Sequence, residues 1–261
     1  MKNIIFKKNQ TGAVLIVVLV MLVLLTIAGT WAIRSGLVSL NISTNSQAQS
    51  LLMQNSDSVF FTLENQTSNA LNFANMRIGD GILAYAMRSE NKNKELVFCI
   101  RSNSINKDGV TERNDNFTSA RNGSVIYWQG TTINNSEMGK NGFCKTTRSL
   151  DFLSKRAAVM TQVSVRAAPA EKDWEHMISG DDKETSKRQD IQKVIVTATS
   201  LLPNLSSSLE SKVESCLTDY TSFVDTTLST ANKTVTDCLA ENSVPYSTQE
   251  MEYTLRYVNA S

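Results

Sequence analysis

Side chains able to carry acid–base or nucleophilic chemistry are sparse in this chain of 261 residues. Its one histidine is His176, and catalytic triads and Cys–His dyads normally use a histidine as the base. The motifs Gly-x-Ser-x-Gly and His-Glu-x-x-His and the glycine-rich phosphate loop do not occur. We therefore expect a protein that is not an enzyme.

A cluster of carboxylates surrounds this histidine in the sequence. Paired carboxylates can act as general acid and base, but lysine, serine and glycine residues lie among these. Such a mixed polar composition is typical of a solvated loop, and we interpret the cluster as a loop between two strands. Its members are Asp173, Glu175, Asp181, Asp182 and Glu184.

One segment, from Ser104 to Asp115, has part of the ligand spacing of a calcium loop. Oxygen-bearing side chains occupy positions one, three, five and twelve, and Gly109 occupies position six, as in that loop. The last ligand is Asp115 instead of the usual glutamate, and Lys107 and Arg113 add positive charge. We interpret the segment as a turn between strands, and we expect neither a bound metal nor a cofactor.

The four cysteines are Cys99, Cys144, Cys216 and Cys238. No two of them have the Cys-x-x-Cys spacing of a zinc grip, and an even number favours two disulfides where the compartment is oxidising. Four cysteines allow three connectivities. Of these we favour the sequential one, which joins Cys99 to Cys144 and Cys216 to Cys238.

The stretch that indicates a membrane protein runs from Ala13 to Ile33, 21 residues without a charge. A helix needs about 20 apolar residues to cross the hydrocarbon core of a bilayer. The short segment before it carries Lys2, Lys7 and Lys8 and no acid, and basic residues on a short flank keep that flank in the cytoplasm. We predict a single-pass membrane protein with a cytoplasmic N-terminus and an exported body, where disulfides form.

The junction Lys7-Lys8-Asn9-Gln10-Thr11-Gly12-Ala13 joins a short basic leader directly to the apolar stretch. It resembles the class III signal of type IV pilins and of type II secretion pseudopilins. The resemblance implies that residues 1–12 are a leader peptide, which a prepilin peptidase removes by cutting between Gly12 and Ala13. It also implies N-methylation of Ala13 and a mature helix that becomes part of the packed core of a filament.

Val17 stands at the fifth mature position, where most pilins have a glutamate that meets the N-terminal amine of a neighbouring subunit. The first acid of the chain is Asp57. A carboxylate inside lipid is costly and persists only when it is paired, and a subunit at the filament tip has no such amine above it. The segments 12–20, 25–29 and 32–35 resemble PilX-type minor pilins most, and the likeness covers about the first 65 residues.

The resemblance implies a structural minor pilin that helps to start filament assembly in a tip complex. The implied partners are the major pilin, other minor pilins, a PilY-type tip adhesin and the prepilin peptidase. The implied location is the inner membrane before assembly and the tip of the extracellular pilus afterwards. A net charge of +1 predicts no direct binding of nucleic acid, which needs clustered basic residues.

Two alternatives stay open at this point. The first is a pseudopilin of a type II secretion system, which uses the same leader. The second belongs to another class, a periplasmic binding or sensor domain held by an uncleaved N-terminal anchor that the same three lysines orient.

Beyond Arg34 the helical pattern continues at lower hydrophobicity, and no proline interrupts it. The pattern predicts one helix over residues 13–65, of which residues 13–33 span the membrane. The stripe consists of Leu37, Leu40, Thr44, Ala48, Leu51, Asn55, Val59 and Leu63.

Residues 66–261 are predicted to form a globular head. Runs of β-forming residues, two of which alternate apolar and polar residues, predict an antiparallel sheet with one buried and one solvent-facing side. The fold class we expect is therefore α+β and pilin-like, with the long N-terminal helix packed on this sheet. The predicted strands lie at residues 95–101, 124–129, 158–167, 193–200 and 251–258.

A Ser/Thr-rich insert at residues 205–245 carries two helical stripes, and Ser207 and Glu210 have the spacing of a capping box. In one straight helix Cys216 and Cys238 would lie about 33 Å apart, beyond the reach of a disulfide. We predict that the insert folds back as a helical hairpin that this disulfide staples.

Overall fold

The structure is a computed structural model that describes residues 11–101, 119–139, 142–153, 158–169, 191–206, 208–225 and 232–256. The chain divides into two compact units, Met1–Ala48 and Gln49–Ser261. In the first unit, the described residues form the N-terminal part of helix α1, which begins at Thr11 and ends at Ser68. The second unit contains the end of α1 and the head.

Helix α1 is long because nothing in its sequence interrupts the backbone hydrogen bonds. It contains no proline, and a Cβ placed at Gly29 or Gly36 would meet no heavy atom within 4 Å. The helix ends at Ser68, and Asn69 caps the next helix by accepting hydrogen bonds from the N–H groups of Leu71 and Asn72. The long N-terminal helix predicted from the sequence is therefore confirmed.

The head is built on a six-stranded antiparallel sheet with the strand order β3-β2-β1-β4-β5-β6. The long strands β5 and β6 pair over their whole length, from Ile191 opposite Arg256 to Leu201 opposite Tyr246. This confirms the α+β class and the antiparallel sheet. The strands are β1 (Lys94–Ile100), β2 (Ser124–Gln129), β3 (Thr132–Glu137), β4 (Met160–Ala167), β5 (Ile191–Leu201) and β6 (Tyr246–Arg256).

The main core lies on one side of the sheet, which we call the helical face. Here Val59, Phe60 and Leu63 of α1 pack with apolar residues of five strands, β1, β2, β4, β5 and β6. Helices α2 (Ala70–Arg77) and α3 (Ile82–Met87) complete this layer. The sheet contributes Leu96, Phe98, Val125, Val163, Val165, Val194, Val196, Ala198 and Leu255.

A small hydroxyl cluster ties α1 to the sheet inside this apolar layer. Ser56 Oγ donates to Ser200 Oγ over 2.8 Å, and Ser200 Oγ is 2.8 Å from Thr161 Oγ1. All three residues are fully buried. Because directional bonds in an apolar core tolerate little displacement, the cluster fixes which turn of α1 faces strands β4 and β5.

The opposite side of the sheet, which we call the insert face, carries the side chains of Glu95, Val97, Gln162, Ser164 and Thr197. Helices α4 (Glu210–Thr218) and α5 (Val235–Glu241) lie in the insert that packs on it. Short 3₁₀ turns occur at Ser89–Asn91, Ala120–Asn122, Ser149–Asp151 and Pro203–Leu205.

The prediction of a solvent-facing side of the sheet is wrong for several residues of the insert face. Gln162 and Ser164 are each 6 % exposed, and Glu95 is 1 % exposed. Gln162 Nε2 donates to the carbonyl of Leu217 in α4, and Ser164 Oγ donates to Ser222 Oγ. The sequence pattern predicted that these side chains face solvent, but the insert covers them and supplies their hydrogen-bond partners.

Strand β3 was not predicted from the sequence. After Thr132 and Ile133 its residues, Asn-Asn-Ser-Glu, are poor β-formers, and the strand is mostly exposed. It forms because Gly130, at φ +64°, allows a tight hairpin after β2. The strand then pairs along the whole length of β2, from Gln129 opposite Thr132 to Ser124 opposite Glu137.

Candidate functional site

The first candidate site is the surface of α1 in the first unit. Every side chain from Val14 to Gln47 is exposed, including Leu15 at 71 % and Trp31 at 78 %. Among the described residues, α1 is the one helix that is long and apolar enough to cross a membrane. Its part from Val14 to Ile33 is an uncharged apolar surface, and such a surface marks a site of contact with lipid or with other apolar helices.

The few polar groups within this surface are satisfied inside the helix. Thr26 Oγ1 donates to the carbonyl of Val23 over 2.8 Å, and Thr30 Oγ1 donates to the carbonyl of Ile27 over 2.9 Å. A hydroxyl bonded to its own helix can lie in lipid without an unpaired donor. The two threonines are therefore compatible with a membrane segment.

The predicted processing site lies at the start of α1. Gly12 and Ala13 belong to its first turn, and the surroundings of the Ala13 side chain fall outside the described residues. The cleavage between Gly12 and Ala13 and the methylation of Ala13 therefore stay predictions. Val17, at the position of the usual pilin glutamate, is 58 % exposed, with no acid between it and Asp57.

The residues singled out for acid–base or metal chemistry cannot be placed. His176, its five neighbouring carboxylates and the segment from Ser104 to Asp115 all lie outside the described residues. Within the described part of the chain, no group of three or more His, Cys, Asp or Glu side chains is arranged to hold a metal ion.

The four cysteines form the two sequential disulfides. Cys99 and Cys144 have their Cα atoms 4.9 Å apart, and Cys216 and Cys238 have theirs 5.4 Å apart. All four are buried. The first disulfide joins the end of β1 to the segment after β3, and the second joins α4 to α5. The favoured pairing and the stapled helical hairpin are both confirmed.

A second apolar cluster holds this stapled insert on the sheet. It combines the disulfides with residues from β4, β5, α4 and α5. Its apolar members besides the cysteines are Phe152, Met160, Leu201, Val213, Leu217, Val235, Leu239 and Val244. The Asn242 amide donates to the Cys238 carbonyl and approaches Sγ of Cys216 and of Cys238 at 3.5 and 3.7 Å.

The capping box lies at α5 and not at α4, where it was predicted. Helix α4 begins at Glu210 behind Leu209, which offers no capping side chain, and Ser207 lies outside the described residues. At α5, Thr234 accepts from the N–H of Asp237, and the Asp237 carboxylate accepts from the Thr234 N–H. The Thr234 N–H and, to a smaller extent, the Thr234 hydroxyl both donate to the Asp237 carboxylate and hold the pKa of Asp237 below its usual value.

The polar contacts between the insert and the sheet centre on the segment after α4. Ser222 donates to Glu95 from its backbone N–H over 2.8 Å and from its hydroxyl. Trp128 Nε1 on β2 donates to Thr221 Oγ1 over 3.1 Å, and the Arg166 guanidinium lies 4.6 Å from the centre of the Phe223 ring. Side chains from β1, β2 and β4 therefore hold this one short segment.

Sequence reasoning did not identify Glu95 as a buried group. Burial raises its pKa above that of an ordinary carboxyl, against the opposing effects of hydrogen bonds from Ser164 and Ser222 and the charge of Arg166. A signal was present in the strand, since Glu95 lies four residues before Cys99 and therefore on the same face. A disulfide cysteine on that face indicates that the face is covered.

Comparison with known proteins identifies no relative. No protein-family model, no curated protein and no solved structure matches the chain.

Proposed function

We propose that this chain is a structural minor pilin of a type IV pilus, of the PilX type, which helps to start filament assembly in a tip complex. The observation that carries the proposal is helix α1. Its N-terminal part exposes an uncharged apolar surface, whereas Val59, Phe60 and Leu63 near its C-terminal end are buried on an antiparallel sheet. One helix that serves both purposes is what the resemblance of the leader implies.

The compartment required by the proposal agrees with the cysteine chemistry. A pilin head is exported, and the two disulfides join Cys99 to Cys144 and Cys216 to Cys238. Disulfides persist in an oxidising compartment and are rare in the cytoplasm. The three lysines before the apolar stretch favour the same orientation, with the head outside and the leader inside.

Val17 supports a place at the tip within this class. A chain with valine in this position has no carboxylate to pair with the N-terminal amine of another subunit. It therefore does not need a subunit packed above it, and its apolar helix carries no buried charge that would require one. On this proposal the chain has a structural role without catalysis, and its partners are the other minor pilins, the major pilin and a PilY-type adhesin.

The proposal can be tested by genetic complementation in the source cell. A strain that lacks the chain should assemble few filaments, and the wild-type chain should restore them and occur in sheared filaments at a low ratio to the major pilin. A Gly12→Val variant should fail to restore filaments because the leader stays attached. Ser58→Ala is the control, since Ser58 is exposed and lies outside both the leader and the apolar surface of α1.

Two outcomes would contradict the proposal. If Gly12→Val restored filaments to the wild-type number, removal of the leader would not be needed for the chain to act in assembly. Loss of protein secretion with normal filaments in the deletion strain would assign the chain to a type II secretion system instead.

A further inference from the structure

Glu95 presents a buried carboxyl group to a single residue of the insert. It lies on the insert face and is 1 % exposed. Ser222 donates to Glu95 Oε2 from its backbone N–H over 2.8 Å, and its hydroxyl donates to Glu95 Oε1. Ser164 Oγ on β4 donates to Ser222 Oγ over 3.0 Å. The carboxyl is therefore enclosed by the segment Asp219–Asp225, which we call the latch segment.

Within the described residues, no lysine or arginine forms an ion pair with this carboxyl. Arg166 is the charged side chain that acts on Glu95, but its guanidinium lies over Phe223, and its Nη2 is 4.0 Å from Glu250. On the other flank, β2 places the apolar Ile126 opposite Glu95. A carboxylate enclosed without a counterion is disfavoured against its neutral form.

The titratable groups of the latch segment itself are Asp219, Tyr220 and Asp225. Asp219 Oδ1 accepts a hydrogen bond from Thr218 and one from Asn135 on β3, so this carboxylate faces the neighbouring edge strand. Asp225 is 7 % exposed, and its N–H donates to Asn232 Oδ1. Within the described chain, the hydrogen bonds from the latch segment to Glu95 come from Ser222 and from none of these groups.

The latch segment is positioned so that it can lift without loss of the helices beside it. The disulfide between Cys216 and Cys238 joins α4 to α5 just before the segment begins. Thr221 pairs with Thr234 in an isolated bridge, and Trp128 donates to Thr221. The sheet also holds the segment through Asn135 at Asp219 and Arg166 at Phe223. Loss of the Glu95 contacts would therefore loosen the segment around Ser222 and leave the stapled hairpin intact.

We propose that Glu95 and Ser222 form a proton-controlled latch, which is closed over a neutral carboxyl and opens when that carboxyl ionises. In the closed state a neutral Glu95 can donate its own O–H to Ser222 Oγ and still accept from the Ser222 N–H. Ionisation removes that donor and leaves a negative charge enclosed in the protein. Opening the latch segment gives the carboxylate water, which stabilises its charge.

The direction of the pH dependence follows from the pKa of Glu95 in the closed and in the open state. Burial raises the pKa of Glu95 in the closed state, whereas an open segment would return it towards that of an ordinary, solvated carboxyl. The closed state therefore binds the proton more tightly and is favoured at low pH. Between the two pKa values the opening equilibrium should rise about tenfold per pH unit, and above the higher one it should level off.

Hydrogen exchange read by mass spectrometry on the full chain in detergent tests the latch. Exchange of a peptide covering residues 219–225 is measured over a pH series and corrected for the intrinsic pH dependence of amide exchange. We expect corrected exchange to rise up to tenfold per pH unit above the ordinary carboxyl pKa. Glu95→Gln should remove this dependence, and the control Asp219→Asn, which keeps an Oδ1 acceptor, should retain it.

A pH-independent wild-type chain would overturn the latch, as would a Glu95→Gln variant that keeps the wild-type dependence. If Glu95→Gln does not form both disulfides, Ser222→Ala tests the latch instead, because it keeps the Glu95 carboxyl and removes the hydroxyl donor. This variant should exchange faster than wild type at every pH, and unchanged exchange would refute the latch. The inference concerns the head alone, so its failure would leave the proposed pilin function untouched.

Discussion

Replacing the hydroxyls between α1 and the sheet should reveal a coupling between two residues that lie far apart in the chain. Ser56 donates to Ser200 over 2.8 Å, and Ser200 lies 2.8 Å from Thr161. Ser56→Ala removes one net hydrogen bond and leaves Ser200 paired with Thr161. We expect it to lower the free energy of unfolding by about 1 kcal/mol.

Ser200→Ala should cost more, because it removes the shared partner of two buried hydroxyls. Each unsatisfied buried hydroxyl costs about 1–3 kcal/mol, although Ser56 can turn back to a carbonyl of its own helix. We therefore expect Ser200→Ala to cost about 2 kcal/mol. In its presence Ser56→Ala deletes an unpaired group, so the double variant should be no less stable than Ser200→Ala alone. The coupling energy is then about 1 kcal/mol.

Urea unfolding of the full chain in detergent, followed by near-ultraviolet circular dichroism, measures these differences. Each 1 kcal/mol should also lower Tm by about 2–4 °C for a unit of this size. Ser58→Ala is the matched control, because Ser58 is exposed on the same helix and donates to Asn55, and its effect should stay within about 0.5 kcal/mol. Additive losses for Ser56→Ala and Ser200→Ala would refute the contact between α1 and β5.

Three further changes probe the head. Replacing Cys216 and Cys238 together by alanine opens a loop with a sequence separation of 22 and should cost about 3 kcal/mol in urea unfolding; equal stability would contradict the staple. Thr234→Ala should cost about 1 kcal/mol at neutral pH. The lowered pKa of Asp237 comes first from the Thr234 N–H, which alanine keeps, and second from the Thr234 hydroxyl, which alanine removes. The part of the difference due to the hydroxyl is therefore present above the ordinary carboxyl pKa and should disappear as the pH falls through the folded-state value; a constant difference down to low pH would exclude this origin. Gly81→Ala places a Cβ against the carbonyl oxygens at the end of α2 and should cost more than about 2 kcal/mol, whereas a neutral effect in the same assay would show that the two helices can separate.

The long helix and five of the six strands could be predicted because their residues carry either the period of the element or a run of strongly β-forming side chains. An uncharged run of 21 residues predicts a helix wherever it folds, and in β4 the valines Val163 and Val165 alternate with polar residues. Strand β3 could not be predicted in this way. Its Asn-rich sequence has no strand pattern, and its conformation comes from pairing with β2 at a glycine turn.

The burial of polar side chains on the insert face could not be predicted from the sequence either. Alternation separates two faces but does not state whether a second layer covers the polar one. Glu95, Gln162 and Ser164 have the sequence pattern of solvent-facing residues, yet each bonds to a residue 55 or more positions away. Contacts at that separation depend on how the stapled insert returns to the sheet, which no local pattern encodes.

The disulfides and the processing site were predicted on different grounds. The even count and wide spacing of Cys99, Cys144, Cys216 and Cys238 led to the disulfides that the structure contains. The processing of Gly12 and Ala13 rests on the likeness of the leader, because peptidase recognition is a property of the junction and leaves no mark on the packing of the head.

The N-terminus of the protein isolated from membranes, read by intact mass spectrometry, tests the proposed function most directly. The account predicts a chain that begins at Ala13 with a methylated amine. A chain that still carries residues 1–12, in cells whose other prepilins are processed, would contradict it and would identify α1 as an uncleaved membrane anchor.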